Sequence, residues 1–249
     1  MASAPNHGAP NHGAPNHGAP NHGAPDLERE KEVAAVAAAA LVENGMTVGL
    51  GTGSTVAHLL PALARRRVSV RCVATSPRTQ DAARALGLHV EPFGDIERFD
   101  MTIDGADQVS PEGWLVKGGG GAHTREKVVA IAADRFVVIA DSTKPVPRLR
   151  PPVPLELLAF GLAATMHRLG PVRRRDVPLS PDGGVIADYE GPFDDPAILA
   201  AWLAATPGVV GHGLFPPELV STVLVGRGEE VERIDLSGSA GPSGPAGRS

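Results

Sequence analysis

Apolar positions along this chain come in short blocks separated by turn residues, and the blocks alternate between helical and strand periodicity. Behind Asp26, a capping residue, Val33, Val36, Ala39, Ala40 and Val42 recur at helical spacing, with Asn44-Gly45 as the stop. Met46–Leu50 is a continuous apolar run, hence a strand, and it ends in a glycine-rich loop. The spacing predicts a helix over Thr55–Arg67, kinked or started late by Pro61, then a strand over Val68–Ala74. A helix over Pro77–Leu86 stops at Gly87, and short strands follow over Leu88–Val90 and Phe99–Ile103, the latter running into Asp104. Arg125–Asp134 reads as helix, and Phe136–Ala140 is apolar throughout, as in strands buried on both faces of a parallel sheet. The alternation predicts an α/β fold: an open, mostly parallel sheet with helices on both faces, a Rossmann-like variant.

After Lys144 the pattern changes. Pro145, Pro147, Pro151, Pro152 and Pro154 mark a linker, and an apolar helix is predicted over Glu156–Leu169. Strands over Pro171–Val177 and Val185–Tyr189, a helix over Pro196–Ala205 and a strand over Val209–Leu214 complete a smaller inserted α+β domain at 151–216. Arg173, Arg174 and Arg175 alternate faces on their strand and read as a solvated edge or an interface rather than a phosphate site. Leu219–Val225, the last apolar strand, returns to the first sheet, so the α/β domain comprises 26–150 and 217–235. Residues 1–25 repeat Gly-Ala-Pro-Asn-His, which carries His7, His12, His17 and His22, and are expected to be disordered; metal capture by those histidines is the alternative. Residues 236–249 read as a second disordered tail.

Composition narrows the function classes. Among 249 residues the formal charge is −5 and the pI about 6.0, the wrong balance for a protein gripping a phosphate backbone. No apolar run approaches the roughly 20 residues that span a bilayer, and no charged n-region precedes an apolar h-region, so a cytoplasmic protein without a membrane partner is expected. Cys72 stands alone, which excludes an internal disulfide or a cysteine-based zinc cluster and leaves it a small buried hydrophobe.

Three glycine-rich loops follow strands, where open α/β sheets bind ligands. Gly49-Leu50-Gly51-Thr52-Gly53-Ser54-Thr55 matches neither the dinucleotide fingerprint nor the P-loop, but its backbone N–H groups and hydroxyls at a helix start suit a single phosphate. The same pattern also fits an ordinary tight turn. Asp104-Gly105-Ala106-Asp107 presents two carboxylates able to handle protons on sugar hydroxyls, or one carboxylate and a helix cap. Lys117-Gly118-Gly119-Gly120-Gly121, ahead of Arg125-Glu126-Lys127, lets backbone approach a ligand beneath a lysine and beside a glutamate. The chain uses 19 arginines and only four lysines, so Lys117 and Lys144, each after an apolar strand, are candidates for places that need a compact ammonium.

Gly-Leu-Gly-Thr-Gly-Ser-Thr, Phe-Asp-Met-Thr-Ile-Asp-Gly-Ala-Asp, Lys-Gly-Gly-Gly-Gly-Ala-x-x-Arg-Glu-Lys and Asp-Ser-Thr-Lys, in this order and spacing, resemble the ribose-5-phosphate isomerases of type A, as does Gly208–Phe215. The likeness covers roughly residues 27–228. It implies reversible isomerisation of D-ribose 5-phosphate and D-ribulose 5-phosphate in the non-oxidative pentose phosphate pathway, with no metal or organic cofactor, in a homodimer or tetramer. By position, Glu126 matches the base that moves a proton between C2 and C1 through an enediolate, Asp104 the residue assisting ring opening, and Lys117 the group stabilising the developing oxyanion. Thr52, Gly53, Ser54, Thr55, Asp104, Gly105, Ala106, Asp107, Lys117, Gly118, Gly119, Gly120 and Lys144 match the substrate-binding segments. The chain departs from the pattern at His123-Thr124, Ser180–Gly184, Val153–Glu156 and Arg150. The rival readings are a non-catalytic sugar-phosphate sensor and a related CoA transferase or amino-sugar phosphate deaminase. The sensor would normally carry a helix-turn-helix, the transferase a nucleophilic glutamate on another loop, and the deaminase a histidine beside its carboxylates.

Overall fold

A computed structural model describes residues 25–94 and 96–236; both the histidine repeat and the stretch beyond Leu236 lie outside the described residues. Helix α1 (Leu27–Ala40) is capped by Asp26, whose side chain accepts from Arg29 N–H. It buries Ala34, Ala35, Ala38 and Ala39, while Val36 and Ala40 face outward, so the packed face is rotated from the expected valine stripe. Alanine wins here because α1 lies close against α2 (Ser54–Arg65), and small side chains permit the approach. Helix α2 begins at Ser54 and runs through Pro61, so the late start is not observed.

Strands β1 (Thr47–Leu50), β2 (Arg71–Ala74), β3 (Met101–Gly105), β6 (Phe136–Ala140) and β12 (Thr222–Arg227) form a parallel sheet. Its order is β13-β12-β6-β3-β1-β2, with β13 (Glu230–Asp235) an antiparallel edge that the sequence pattern did not reveal. Side chains alternate across it as a two-faced sheet requires. Leu50, Ile103, Val137, Ile139 and Leu224 pack toward α1, α2 and α3 (Pro77–Ala85). Opposite them, Val73 packs with Val129 of α4 (His123–Ile131), and Phe136, Val138, Val223 and Val225 pack with Ala130. A small antiparallel sheet, β4 (Gln108–Val109), β5 (Leu115–Val116) and β11 (Leu214–Phe215), covers part of this second face. Cys72 is fully buried. Leu88–Val90 contributes only a single bridge from Val90 to Cys72.

A separate four-stranded antiparallel sheet is built from β7 (Val153–Leu157), β8 (Val172–Arg174), β9 (Val185–Tyr189) and β10 (Val209–His212) in the order β10-β7-β9-β8, with α5 (Leu162–Leu169) and α6 (Pro196–Ala205). The helix expected over Glu156–Leu169 is corrected here: its first part is strand β7 and only Leu162–Leu169 is helical. Val153, Leu155 and Leu157 repeat every second residue and all three are fully buried, the strand period rather than the helical one. Gly161, at φ 68°, then makes the turn into α5. The predicted Val209–Leu214 strand breaks at Gly213, where a Cβ would stand 2.1 Å from the Lys117 carbonyl oxygen. As expected, β8 is an edge strand, but Arg175 turns inward rather than into solvent. Leu236, assigned to the tail, packs against Gly113 and bonds through its N–H to Ser221.

Two departures from the family pattern touch each other. Ser180 Oγ donates to the buried Glu156 carboxylate, and a Cβ at Gly184 would lie 2.2 Å from Glu156 Oε1. Arg150 meets Gln108 through its backbone N–H and C=O, so its own side chain is free to vary. Glu30 ties distant segments together: its carboxylate accepts from Ser142 N–H at 2.9 Å and Gly228 N–H at 3.1 Å. Burial pushes that carboxyl up, but these hydrogen bonds hold it below the usual carboxylate range.

Candidate active site

The carboxyl ends of β1, β3 and β6 and the loop before α4 converge on a cleft of about 200 Å³. Thr52, Gly53, Ser54, Gly105, Ala106, Asp107, Lys117, Gly118, Gly119, Gly120, Glu126 and Lys144 line it, all of them candidates from the sequence. Thr55, on the first turn of α2, and Asp104, the deepest carboxylate, are buried behind this lining. A larger hollow of about 550 Å³ lies against the opposite face of α4, beside Thr124, Arg125 and Val128. We place the chemistry in the smaller cleft because the buried ionisable groups meet there.

Lys117 Nζ stands 2.8 Å from Asp104 Oδ2 and 3.1 Å from Glu126 Oε2, and donates to the Gly105 carbonyl at 2.5 Å. All three side chains are 3% exposed or less. Apart from that ammonium, neither carboxylate oxygen has a hydrogen-bond partner among the described residues. Asp104 Oδ1 is better satisfied, accepting from Thr52 N–H at 3.0 Å and Gly105 N–H at 2.7 Å. Gly51 is obligatory beside it, since a Cβ there would fall 1.9 Å from the Asp104 carboxyl.

Burial, and then the charge of Asp104, push the Glu126 carboxyl well above the usual range, against the pull of Lys117. Burial also raises Asp104, opposed by Lys117 and the two N–H donors. Burial works against the Lys117 ammonium, but the two carboxylates outweigh it and hold its pKa above the ordinary lysine value. One cation thus faces two acids, and the second acid to ionise must do so in a dry pocket. That is the environment of a proton-transfer base rather than of a resting ion pair.

The rest of the cleft suits an anion. Helix α2 starts at Gly53 (φ 140°) with no side-chain cap and no acid in its first turn, leaving its first N–H groups toward the cleft's mouth. Lys144 shares the lining, and its ammonium has no carboxylate partner among the described residues. Thr52 Oγ1 is held by Thr75, Ser76 and Thr79 at 2.9, 2.8 and 3.2 Å. Sequence reading missed this hydroxyl cluster; Ser76 before Pro77 signals a helix cap but says nothing of Thr52. It also missed Arg175, which reaches the glycine-rich loop from the other sheet, donating to Gly118 O at 3.0 Å and Gly119 O at 2.9 Å.

Beside the trio lies a second buried polar group. Lys127 Nζ donates to His212 O at 2.7 Å, 3.3 Å from His212 Nδ1, and sits 4.9 Å from the centre of the Phe215 ring, which Lys117 approaches at 5.4 Å. Burial lowers Lys127 to about 7, and burial plus the Lys127 charge lower His123 and His212 to about 3. His123 is fully enclosed beneath Gly118, whose φ of 103° and tight approach leave no room for a side chain. Among the described residues no group of three or more His, Cys, Asp or Glu side chains is arranged to hold a metal ion, and no helix is long and apolar enough to cross a membrane.

Residues 71–230 match the profile of the family described as ribose 5-phosphate isomerase A (phosphoriboisomerase A). Ribose-5-phosphate isomerase A of Caulobacter vibrioides is 42% identical over 221 residues, covering 82% of this chain and 97% of that protein. Its counterpart in Lacticaseibacillus paracasei is 40% identical over 229 residues, covering 84% and 98%. Among solved structures, ribose 5-phosphate isomerase A of Neisseria gonorrhoeae superposes with a TM-score of 0.81 at 29% identity, covering 84% of this chain and 97% of that one. A D-ribose-5-phosphate isomerase in complex with phospho-erythronic acid gives 0.79 at 31%, covering 84% and 99%.

Proposed function

The chain belongs to the ribose 5-phosphate isomerase A family, and on that premise we propose how its own residues carry the reaction. The protein is an enzyme that interconverts D-ribose 5-phosphate and D-ribulose 5-phosphate through an enediolate, an aldose–ketose isomerisation that belongs to the pentose phosphate pathway. The observation that carries the assignment of roles is the buried ammonium of Lys117 between Asp104 and Glu126, 2.8 and 3.1 Å away, at the floor of the cleft.

The phosphate docks at the mouth, on the Ser54 hydroxyl, on the N–H groups of Ser54 and Thr55 at the start of α2 and on Lys144. Asp104 takes and returns a hydroxyl proton as the sugar ring opens. Glu126, in its ionised form, removes the C2 proton from the open-chain aldose, and negative charge develops on the C1 carbonyl oxygen, where the Lys117 ammonium and the free N–H of Gly120 stabilise it. The O2 hydroxyl proton then passes to O1 and Glu126 delivers its proton to C1, which leaves the carbonyl at C2. Reaction in the reverse direction uses the same groups. A sensor that only bound its ligand would have no use for a base held at raised pKa beside a cation, so the binding-only reading is not favoured.

The separate four-stranded sheet supports a division into an α/β domain at 26–150 and 217–235 and a smaller domain at 151–216, with β11 at the end of the latter pairing back onto β5. A cytoplasmic location accords with the family's metabolic role. Exposed Phe160 (92%) and Ile198 (70%), both within the smaller domain, support a homodimer; sedimentation would separate it from a tetramer.

The test is solvent deuterium exchange. Ribose 5-phosphate recovered after incubation with the wild type in D₂O should carry deuterium at C2, whereas Glu126→Gln should leave that position protonated. Normal exchange in the Gln variant moves the base to Asp104 or Asp107.

A further inference from the structure

We propose that Arg175, which belongs to the four-stranded sheet's unit, is a positioning residue for catalysis: it selects the peptide orientations of the Gly118–Gly120 loop. The proposal rests on the reading of that loop as part of the active site. Consecutive glycines have almost no intrinsic backbone preference, so the peptide planes of this loop can turn over at little cost. A turn bond within the loop, from Gly121 N–H to the Gly118 carbonyl at 2.9 Å, holds one end but leaves the Gly119–Gly120 peptide unfixed. Two side chains outside the loop complete the arrangement. Asp107 accepts the Gly119 N–H at 2.8 Å on the cleft side, and Arg175 Nη1 donates to the Gly118 and Gly119 carbonyls at 3.0 and 2.9 Å from the other side.

A trans peptide points its N–H opposite to its C=O. Fixing the Gly118 carbonyl toward Arg175 therefore turns the Gly119 N–H toward Asp107, as observed. Fixing the Gly119 carbonyl the same way turns the Gly120 N–H away from Arg175, and that N–H has no acceptor among the described residues. It is left as a free donor on a residue that lines the cleft. The guanidinium is itself held. Nε and Nη2 pair with Asp188 Oδ2 and Oδ1 at 2.9 and 2.6 Å, Asp188 is 2% exposed, and Arg173 donates to the same carboxylate at 2.9 Å. The planar five-donor fork makes this possible; a lysine could hold the carbonyls or the carboxylate but not both. The chain from buried Asp188 through Arg175 to the loop makes the antiparallel sheet part of the catalytic apparatus, although none of its strands lines the cleft.

The experiment uses the full chain and the variants Arg175→Met, Arg175→Lys, Asp188→Asn and, as a control on the same edge strand, Arg174→Met. Turnover of ribose 5-phosphate, thermal midpoint and amide hydrogen exchange of the 117–121 segment are measured on each. Arg175→Met should lower kcat/KM by roughly 10- to 100-fold, mostly in kcat, as misplacement of catalytic groups by about an ångström does. Exchange at Gly119, whose N–H is held by Asp107, should accelerate in the same variant. Arg175→Lys should recover part of the rate, Arg174→Met should match the wild type, and adding Asp188→Asn to Arg175→Met should cost nothing further, since both break one chain. The proposal is overturned by an Arg175→Met or Arg175→Lys enzyme with wild-type kcat and KM, or by a loss of rate that follows only the folded fraction with loop exchange unchanged. Failure of the underlying site reading shows separately, as an active Glu126→Gln enzyme, while the exchange rates still report the clamp.

Discussion

Lys117 and Lys127 approach the same Phe215 ring, at 5.4 and 4.9 Å, the first buried and the second half-buried, yet the protein treats them oppositely. Lys117 has two carboxylates within 3.1 Å and is held as an ammonium; Lys127 has a backbone carbonyl and a histidine ring and is pushed down to about 7. Burial alone disfavours charge in both places. What differs is the partner set. The acids keep the first lysine charged and are themselves kept basic chiefly by burial, whereas the second region takes the cheaper course of shedding protons, its two histidines included. A cleft that must hold a negative enediolate needs the first solution, and the packing behind it tolerates the second.

The contrast can be broken most severely at Glu126. Glu126→Gln keeps shape but cannot accept a proton, and kcat should fall by roughly 10²–10⁴ with far less change in KM. Because Glu126 is raised, kcat/KM should climb with pH past the range of an exposed carboxylate, and that limb should vanish in the Gln variant. The sign for stability follows: a carboxyl raised on folding contributes stability below its unfolded pKa that is lost as pH rises through the folded one, so Glu126→Gln should lose less stability on alkaline titration. Next in size is Lys117→Met. It leaves two buried acids without their cation, and chemical denaturation at neutral pH should show a loss of about 3–5 kcal/mol, shrinking in acid as the carboxylates protonate. Lys144→Ala should act chiefly on KM, raising it about tenfold, the worth of one solvent-screened phosphate contact of ~1.4 kcal/mol. The smallest effect is expected at Lys127. A lysine depressed on folding loses stability as pH falls through its folded pKa, so the wild type should gain stability between about pH 7 and the ordinary lysine pKa. Lys127→Met should flatten that rise while leaving kcat within a few-fold; a large kcat loss would dissolve the distinction between the two lysines.

The parallel sheet was legible because its strands are short apolar runs ending in glycine loops, and Phe136–Ala140 and Pro196–Ala205 have the predicted bounds. The cleft was legible for a related reason: residues at strand ends cluster wherever parallel strands line up. Failures came where a neighbour outside the local window decides. Val153–Leu157 is a strand because β9 and β10 pair with it, and β13, with four of its six positions exposed, carries almost no hydrophobic signal. The face of α1 was set by the closeness of α2, which only alanines allow, rather than by where the larger apolar side chains fall. Arg175 was unreadable because its partners, Asp188 and the Gly118–Gly119 carbonyls, are remote in sequence.

The bonds from Ser142 and Gly228 to Glu30 bear on how the molecule is made. On the ribosome α1 emerges well before the strand that completes the sheet beside Val137. Until Gly228 is available Glu30 lacks one of its two backbone donors, and the flank of β6 stays an open edge, inviting another chain. Nascent chains paused or cut before Thr222 would therefore be expected to seek chaperones, and only the arrival of β12 seals the first helix to the last hairpin.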